Sequence, residues 1–367
     1  MKLLVLFLFL SYTTFSQDFT FTNIDTKTGA SFRGLSVLPN EKNGVAWLGG
    51  TKGNIGYTLD GGATWNFTQI KGYEKCDFRS IYALSEKAVI IANAGTPAYI
   101  LFTNDGGKNW QKVFESHDSA VFFDGITFWP NKKLSLVSCD PVDNKKYLFS
   151  LKMRGLVYGD PINGKMYLIR LTVVGNYRNW FQNVICTNAP NSPLLTKGEA
   201  SFAASGTTIR RNHKKIKIAT GGTVSRIWTA SHKLNNWLPQ PTPILPGNET
   251  TGIFSMAWAN KKKGIIVGGD YKLDTLRKDH VFYTTDGGKT WAPPTLPTRG
   301  YRECVEYINK NTAITTGPTG TDFTIDGGKT WQPLNDEKGF HVIKKIPGTH
   351  NLIMAGSNGK VMIVREQ

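Results

Sequence analysis

Charge, cysteine and long apolar runs are all scarce in this chain of 367 residues. Only 19% of the residues are charged, while 20 Phe, 13 Tyr and 10 Trp are present. A disordered chain has the reverse composition, so disorder is excluded. Stretches rich in Ala, Glu, Leu and Lys are missing too, which argues against a helical bundle. The four cysteines (Cys76, Cys139, Cys186 and Cys304) form no Cys-x-x-Cys pair. That excludes a zinc ribbon, and they read as scattered thiols. Six histidines without ligand spacing give no metal site, and no cofactor is assigned. No Gly-x-Ser-x-Gly elbow, His-Glu-x-x-His helix or strand-to-helix phosphate loop occurs, so those enzyme classes have no support.

The one unbroken apolar run, Leu3 to Leu10, is too short to cross a bilayer comfortably. With Lys2 before it and the small Thr14 and Ser16 after it, residues 1–16 read as a secretory signal. The protein is then secreted or periplasmic, and residues 17–367 are the working chain. Lys and Arg number 44 against 27 Asp and Glu, a formal net charge of +17. A basic surface calls for an acidic partner, and export sets nucleic acid aside.

What is abundant is a sentence said four times: Thr58-Leu-Asp-Gly-Gly-Ala-Thr-Trp65, Thr103-Asn-Asp-Gly-Gly-Lys-Asn-Trp110, Thr284-Thr-Asp-Gly-Gly-Lys-Thr-Trp291 and Thr324-Ile-Asp-Gly-Gly-Lys-Thr-Trp331. Neighbours lie about 45 and 40 residues apart, a period of propellers and solenoids. The chemistry of the box is structural. Gly-Gly admits a left-handed turn, Asp60, Asp105, Asp286 and Asp326 accept loop hydrogen bonds, and Trp65, Trp110, Trp291 and Trp331 bury a ring between sheets. Innermost strands begin near Phe32, Phe78, Phe123, Glu199, Phe254, Tyr301 and Phe340. The last unit is one strand short, and Phe19 to Ile24 is a spare. Together they predict one all-β domain, a seven-bladed propeller of four-stranded antiparallel blades closed by the N-terminal strand. Two boxes, Thr172 to Trp180 and Thr229 to Trp237, have lost Asp-Gly-Gly. Leu136 to Leu148 recurs as Leu156 to Leu168; this reads as an inserted hairpin, with eight blades as the alternative.

The boxes resemble the bacterial neuraminidase repeat, or Asp-box. Asp77-Phe-Arg79, Phe122-Phe-Asp-Gly125, Asp160-Pro-Ile-Asn-Gly164, Gly198-Glu-Ala-Ser-Phe-Ala-Ala-Ser-Gly206, Gly252-Ile-Phe-Ser255, Val267-Gly-Gly-Asp270 and Gly300-Tyr-Arg302 resemble a narrower group, the photosystem II assembly/stability factor-like propellers, along nearly the whole chain. The resemblance implies an exported, monomeric, non-catalytic scaffold. In photosynthetic members it implies a basic face that holds a membrane-protein intermediate.

Ring geometry brings Arg33, Arg79, Asp124, Glu199, Arg302 and His341 toward the channel mouth, away from the boxes. Such a set can fork onto an anion or form an internal salt-bridge network. The loop from Gly268 to His280 shares that face and offers Asp270, Lys272, Arg277 and His280. On the box face, Arg210, Arg211, Lys214, Lys215, Lys261, Lys262 and Lys263 sit in turns between first and second strands. They predict one patch for an acidic protein or membrane-protein partner. The alternative function is a sialidase-like or other glycan-active hydrolase. Arg33, Arg79 and Arg302 would imitate an arginine triad, Asp124 the acid, and Tyr301 or Tyr307 with Glu303 or Glu306 the nucleophile pair. Against it, the first blade reads Phe32-Arg-Gly-Leu35 rather than Arg-Ile-Pro, so no catalytic residue is assigned.

Overall fold

Second strands such as Val89–Ala92 and Ala46–Gly50 are apolar or small throughout and wholly buried, as a strand covered on both faces must be. Fourth strands such as Asn66–Gln69 are largely exposed, so each sheet runs from a buried interior to a wet rim. The computed structural model describes residues 19–38, 44–130, 135–136, 149–176, 181–189, 191–349 and 351–366. Among these there is no helix.

The sheets are antiparallel hairpins in chain order. The first blade is Phe32–Val37, Ala46–Gly50, Asn54–Thr58 and Asn66–Gln69; the second is Ser80–Ala83, Val89–Ala92, Ala98–Thr103 and Gln111–Ser116. The third runs Phe123–Pro130, Phe149–Ile162, Lys165–Asn176 and Asn183–Asn188. The fourth is Ile209–Asn212, Lys215–Gly222, Arg226–Ser231 and Leu238–Pro241; the fifth is Thr251–Trp258, Gly264–Asp270 and Val281–Thr284, with a bridge from Tyr283 to Ala292. The sixth is Cys304–Tyr307, Ala313–Gly317, Gly320–Thr324 and Gln332–Asn335. The seventh, Phe340–Lys345, Asn351–Gly356 and Val361–Glu366, takes Phe19–Ile24 as its outer strand. Each innermost strand touches the next, and the seventh touches the first, so the ring closes into a propeller.

Two expectations change. Leu156 to Leu168 is no insertion: it is the central hairpin of the third blade, turning at Asn163 (φ 51°) and Gly164 (φ 75°). Most of its duplicate, Leu136 to Leu148, lies outside the described residues, as do residues 1–16, Cys139 and the end of the Thr172 to Trp180 box. The inner edge of the fourth blade is not continuous either. It starts with Glu199–Ala200, leaves for residues 201–208, and resumes at Ile209; both pieces pair with Lys215–Gly222.

The Asp-Gly-Gly turns share one network. Thr58, Thr103, Thr284 and Thr324 each donate a hydroxyl to the box Asp at 2.8 Å and accept the N–H of the second Gly at 2.9–3.1 Å. Asp60, Asp105 and Asp326 lie below the ordinary carboxylate range; desolvation opposes this, but hydrogen bonds from Thr64, Asn109 and Thr330 and their neighbours outweigh it. Asp286 is lowered by hydrogen bonds from Thr290. The first Gly donates to the turn joining the first two strands: Gly61 to Gly44, Gly106 to Lys87, Gly287 to Lys262 and Gly327 to Asn311. Gly62 (φ 90°) holds a left-handed backbone that strains any other residue.

Candidate binding face at the channel mouth

A single bulge recurs on the innermost strands. Register shifts fall between Phe32 and Gly34, Phe123 and Gly125, Ile253 and Ser255, and Phe340 and Val342. The skipped residues are Arg33, Asp124, Phe254 and His341. A bulge re-aims one side chain out of the pleat, which is why these residues leave their sheets at the channel. In the sixth blade the Glu303 N–H bonds to Thr316 while Cys304 also pairs with Thr316. Glu303, not Arg302, therefore occupies the bulge position.

Glu303 is the hub. It is 5% exposed and accepts from Arg33 (2.7 Å) and pairs with His341 Nδ1 (2.7 Å), whose Nε2 meets Ser357 (2.8 Å). Burial alone would raise the Glu303 carboxyl, but Arg33 and His341 outweigh it and hold the group below its usual value. Arg33 also donates to the Ala204 carbonyl at 3.1 Å. Arg79 bonds to Asp77 (2.7 Å) and the Ala203 carbonyl (3.4 Å). These carbonyls belong to residues 201–208, which enter the channel. Ser205 bonds to the Glu303 carbonyl (2.8 Å), and Thr207 to Ser255 (2.6 Å). The excursion thus ties the fourth blade to the first, second, fifth and sixth.

The other mouth candidates stand elsewhere. Arg302 is fully buried in its own blade, held by Asp322, Thr319 and the Tyr301 carbonyl. Asp322 also takes Arg299 at 2.8 Å. Glu199 pairs with Arg226 (2.8 Å), Trp228 Nε1 (2.9 Å), Thr220 (2.7 Å) and the Thr196 N–H (2.9 Å). Neither reaches the mouth, because sequence alignment missed the bulge in one blade and the excursion in the other. Arg33, Arg79 and Arg302 therefore do not converge on one anion. Tyr301 does sit beside Glu303, but burial first and that carboxylate second push its phenol up, away from a nucleophile.

Asp124 is 1% exposed, and its Oδ2 has no hydrogen-bond partner; Asp160 Oδ1 has none either. Burial and then Asp160 drive Asp124 well above the ordinary range, against a smaller opposing pull from Arg79. Burial pushes Asp160 up to about 6. Asp124 therefore favours its neutral form where Glu303 favours its charged one.

In the 268–280 loop, Asp270 caps the Lys272 N–H (2.9 Å), Lys272 lies 3.9 Å from Glu249, and Arg277 is exposed. His280 is buried against the Thr298 carbonyl (3.2 Å), and burial lowers its pKa. Sequence reasoning missed the aromatic shelf beside this loop. Phe254 stacks on Phe202 (centroids 3.9 Å) and meets Tyr301 (4.7 Å) and the exposed Tyr271 (6.1 Å) edge-on. Only the register shows why: Phe254 fills the bulge position that Arg33, Asp124 and His341 fill in other blades.

The box-face patch divides in two. Arg210 and Arg211 lie on the inner strand, not in its turn. They line a cavity of about 340 Å³ in the channel, with Arg79, Lys344, Lys345 and Glu306. Arg210 and Lys344 lie 3.0 and 3.7 Å from Glu306. Lys214, Lys215 and Lys261 line a separate groove between the fourth and fifth blades. Lys262 and Lys263 line neither; Lys263 bonds to Asn311 at 2.8 Å. Cys76, Cys186 and Cys304 are free thiols, and burial pushes Cys76 and Cys186 up to about 11. Among the described residues no group of three His, Cys, Asp or Glu is placed to hold a metal.

Comparison with known proteins agrees with this architecture. The family model described as photosynthesis system II assembly factor YCF48 matches residues 17–118, and the BNR/Asp-box repeat matches 282–293. The photosystem II stability/assembly factor HCF136 of Arabidopsis thaliana is 35% identical over 83 residues, 22% of this chain and 20% of that protein. The match thus spans about a fifth of that relative's length. Among solved structures, YCF48 from Cyanidioschyzon merolae superposes with a TM-score of 0.61 at 15% identity, covering 94% of this chain and 98% of that one. YCF48 bound to D1 peptide gives 0.60 at 16%, covering 95% and 97%. The Pan2 WD40 domain of Neurospora crassa gives 0.54 at 11%, covering 94% and 97%. The chain is a BNR/Asp-box propeller that resembles the photosystem II assembly factor group.

Proposed function

We propose that this propeller is a non-catalytic binding and assembly scaffold, and that its channel-mouth face holds a segment of a membrane-protein partner. A relative of the same architecture has been solved with a D1 peptide. The carrying observation in this chain is that Arg33 and Arg79 are fixed on one side by Glu303, Asp77 and two backbone carbonyls, while their side chains stay 21% and 32% exposed. A guanidinium held that way keeps donors free at little entropic cost, which suits a carboxylate or backbone carbonyl of an incoming peptide. The exposed Tyr271 and half-buried Phe202, both backed by the buried Phe254, supply apolar area on the same face. The leader expected in residues 1–16 supports a role outside the cytoplasm, where segments of envelope proteins would be within reach.

The hydrolase reading loses its support with Arg302, whose guanidinium is spent on Asp322 inside the sixth blade. The test is capture of partners from the envelope fraction by the wild-type protein and by an Arg33→Ala/Arg79→Ala variant, with turnover of sialosides and xyloglucan-type glycans measured in parallel. Retention should fall by about tenfold in the variant, for two charge-assisted contacts. Turnover that depends on Asp124 or Arg79 would overturn the scaffold reading.

A further inference from the structure

Lys217 is the odd cation of the box face. It lies on the second strand of the fourth blade and is only 6% exposed. Among the described residues no carboxylate forms an ion pair with it. Its ammonium sits 4.7 Å above the Trp258 ring and 3.5 Å from the Thr229 hydroxyl. Burial first, and Lys215 second, pull its pKa down to about 8. Buried charges in proteins are normally paired, because an unpaired one forfeits hydration without compensation.

Lys217 opens onto the groove between the fourth and fifth blades, a cavity of about 660 Å³. Its walls carry Lys214, Lys215, Lys261 and Lys289, all exposed. The groove's one carboxylate, Asp286, is committed to Thr284, Lys289 N–H and Thr290 of its own box. Five lysines thus line a ligand-sized space against a single carboxylate, which is already held by its own box. Lysine acts as a compact point charge with rotatable donors, which suits a phosphoryl group better than a planar carboxylate. Leu238, 67% exposed, and Pro239 give one apolar wall.

We propose that this groove is a binding site for a phosphate-bearing anion, with Lys217 as its buried anchor and Lys214, Lys215, Lys261 and Lys289 as its rim. The site is independent of the channel mouth and of whatever binds there. The phosphoryl group can come from a free oligophosphate or from a phospholipid headgroup with its chains against Leu238.

The test is calorimetric titration of the full protein with sodium tripolyphosphate, with citrate as the carboxylate comparison, and co-sedimentation with phosphatidylglycerol vesicles. Tripolyphosphate or the vesicles should bind, citrate at least tenfold more weakly than tripolyphosphate, and Lys217→Met should cost at least tenfold. Lys214→Ser/Lys289→Ser, which changes only exposed side chains, should weaken binding if Lys217→Met fails to fold. Lys262→Ala, outside the groove, should leave it unchanged. Tripolyphosphate alone points to a free oligophosphate, and retention only by vesicles points to a headgroup. Absence of both kinds of binding would overturn the site. So would citrate binding as tightly as tripolyphosphate, or a loss with Lys262→Ala equal to that with the groove variants.

Discussion

The sixth and third blades each bury carboxylates, and they treat them in opposite ways. In the sixth, Asp322 faces Arg302 and Arg299, and Glu303 faces Arg33 and His341. In the third, Asp124 and Asp160 are near each other, with an unbonded oxygen on each. Burial costs both sites hydration; only the first recovers it through opposite charge. Depth in the fold therefore does not decide protonation here. At similar depth, the charges facing Glu303 reverse the shift that burial imposes on Asp124.

The largest expected effect breaks the matched side. Asp322→Ala strands the fully buried Arg302 and removes an acceptor from Arg299, so it should cost about 3–5 kcal/mol in urea unfolding. A loss under about 1 kcal/mol would mean the pair is no counterweight at all. The next removes the contrast from the other side. Asp160 has a native pKa of about 6 against roughly 3.9 in an unfolded chain. Between those values the native state binds more protons than the unfolded one, so stability falls as pH rises through that window and is fully present only below it. Asp160→Asn should remove that slope and gain on the order of 2–3 kcal/mol at pH 7.5 relative to pH 4, read by calorimetry at both. An unchanged slope would show that the pair does not share protons. The smallest effect sets an exposed baseline. Asp326→Ala deletes the box acceptor of Thr324, Thr330 and the Lys329 N–H. By analogy with a helix cap it should cost about 1 kcal/mol, and a cost rivalling Asp322→Ala would erase the distinction between the exposed box and the buried pair.

What the sequence disclosed follows the same division. Box turns are legible because Asp-Gly-Gly-x-Thr-Trp is a local solution to a local problem: left-handed backbone, a carboxylate acceptor and a ring to bury. Ring closure is legible because a missing strand at one end and a spare one at the other must answer each other. The bulge is not, since Phe32-Arg-Gly34 and Arg302-Glu-Cys304 carry no residue that declares which side chain is skipped. That one-residue ambiguity exchanged Arg302 for Glu303 at the hub. The eight-residue excursion of the fourth blade displaced Glu199 from the mouth and moved Arg210 and Arg211 from a turn onto the channel wall. Lys217 went unnoticed because its spacing in a strand of alternating Lys and Ile looks like a solvated face, and only the neighbouring blade's Trp258 covers it.

The pairing of Phe19–Ile24 with Val361–Glu366 has a kinetic side. The outer strand of the seventh blade comes from one extremity of the described chain and its three companions from the other. Six blades can form from neighbouring hairpins as each is made, but the seventh cannot until nearly every other residue is in place. Thermodynamically that long loop is cheap, since doubling its length adds only about 0.6 kcal/mol. In time it is not, because contacts so distant in sequence form slowly. Until they do, the exposed edge of Val361–Glu366 is open to any other strand, including that of a second molecule, so the final stitch is the step at which this fold is most vulnerable to swapping and aggregation.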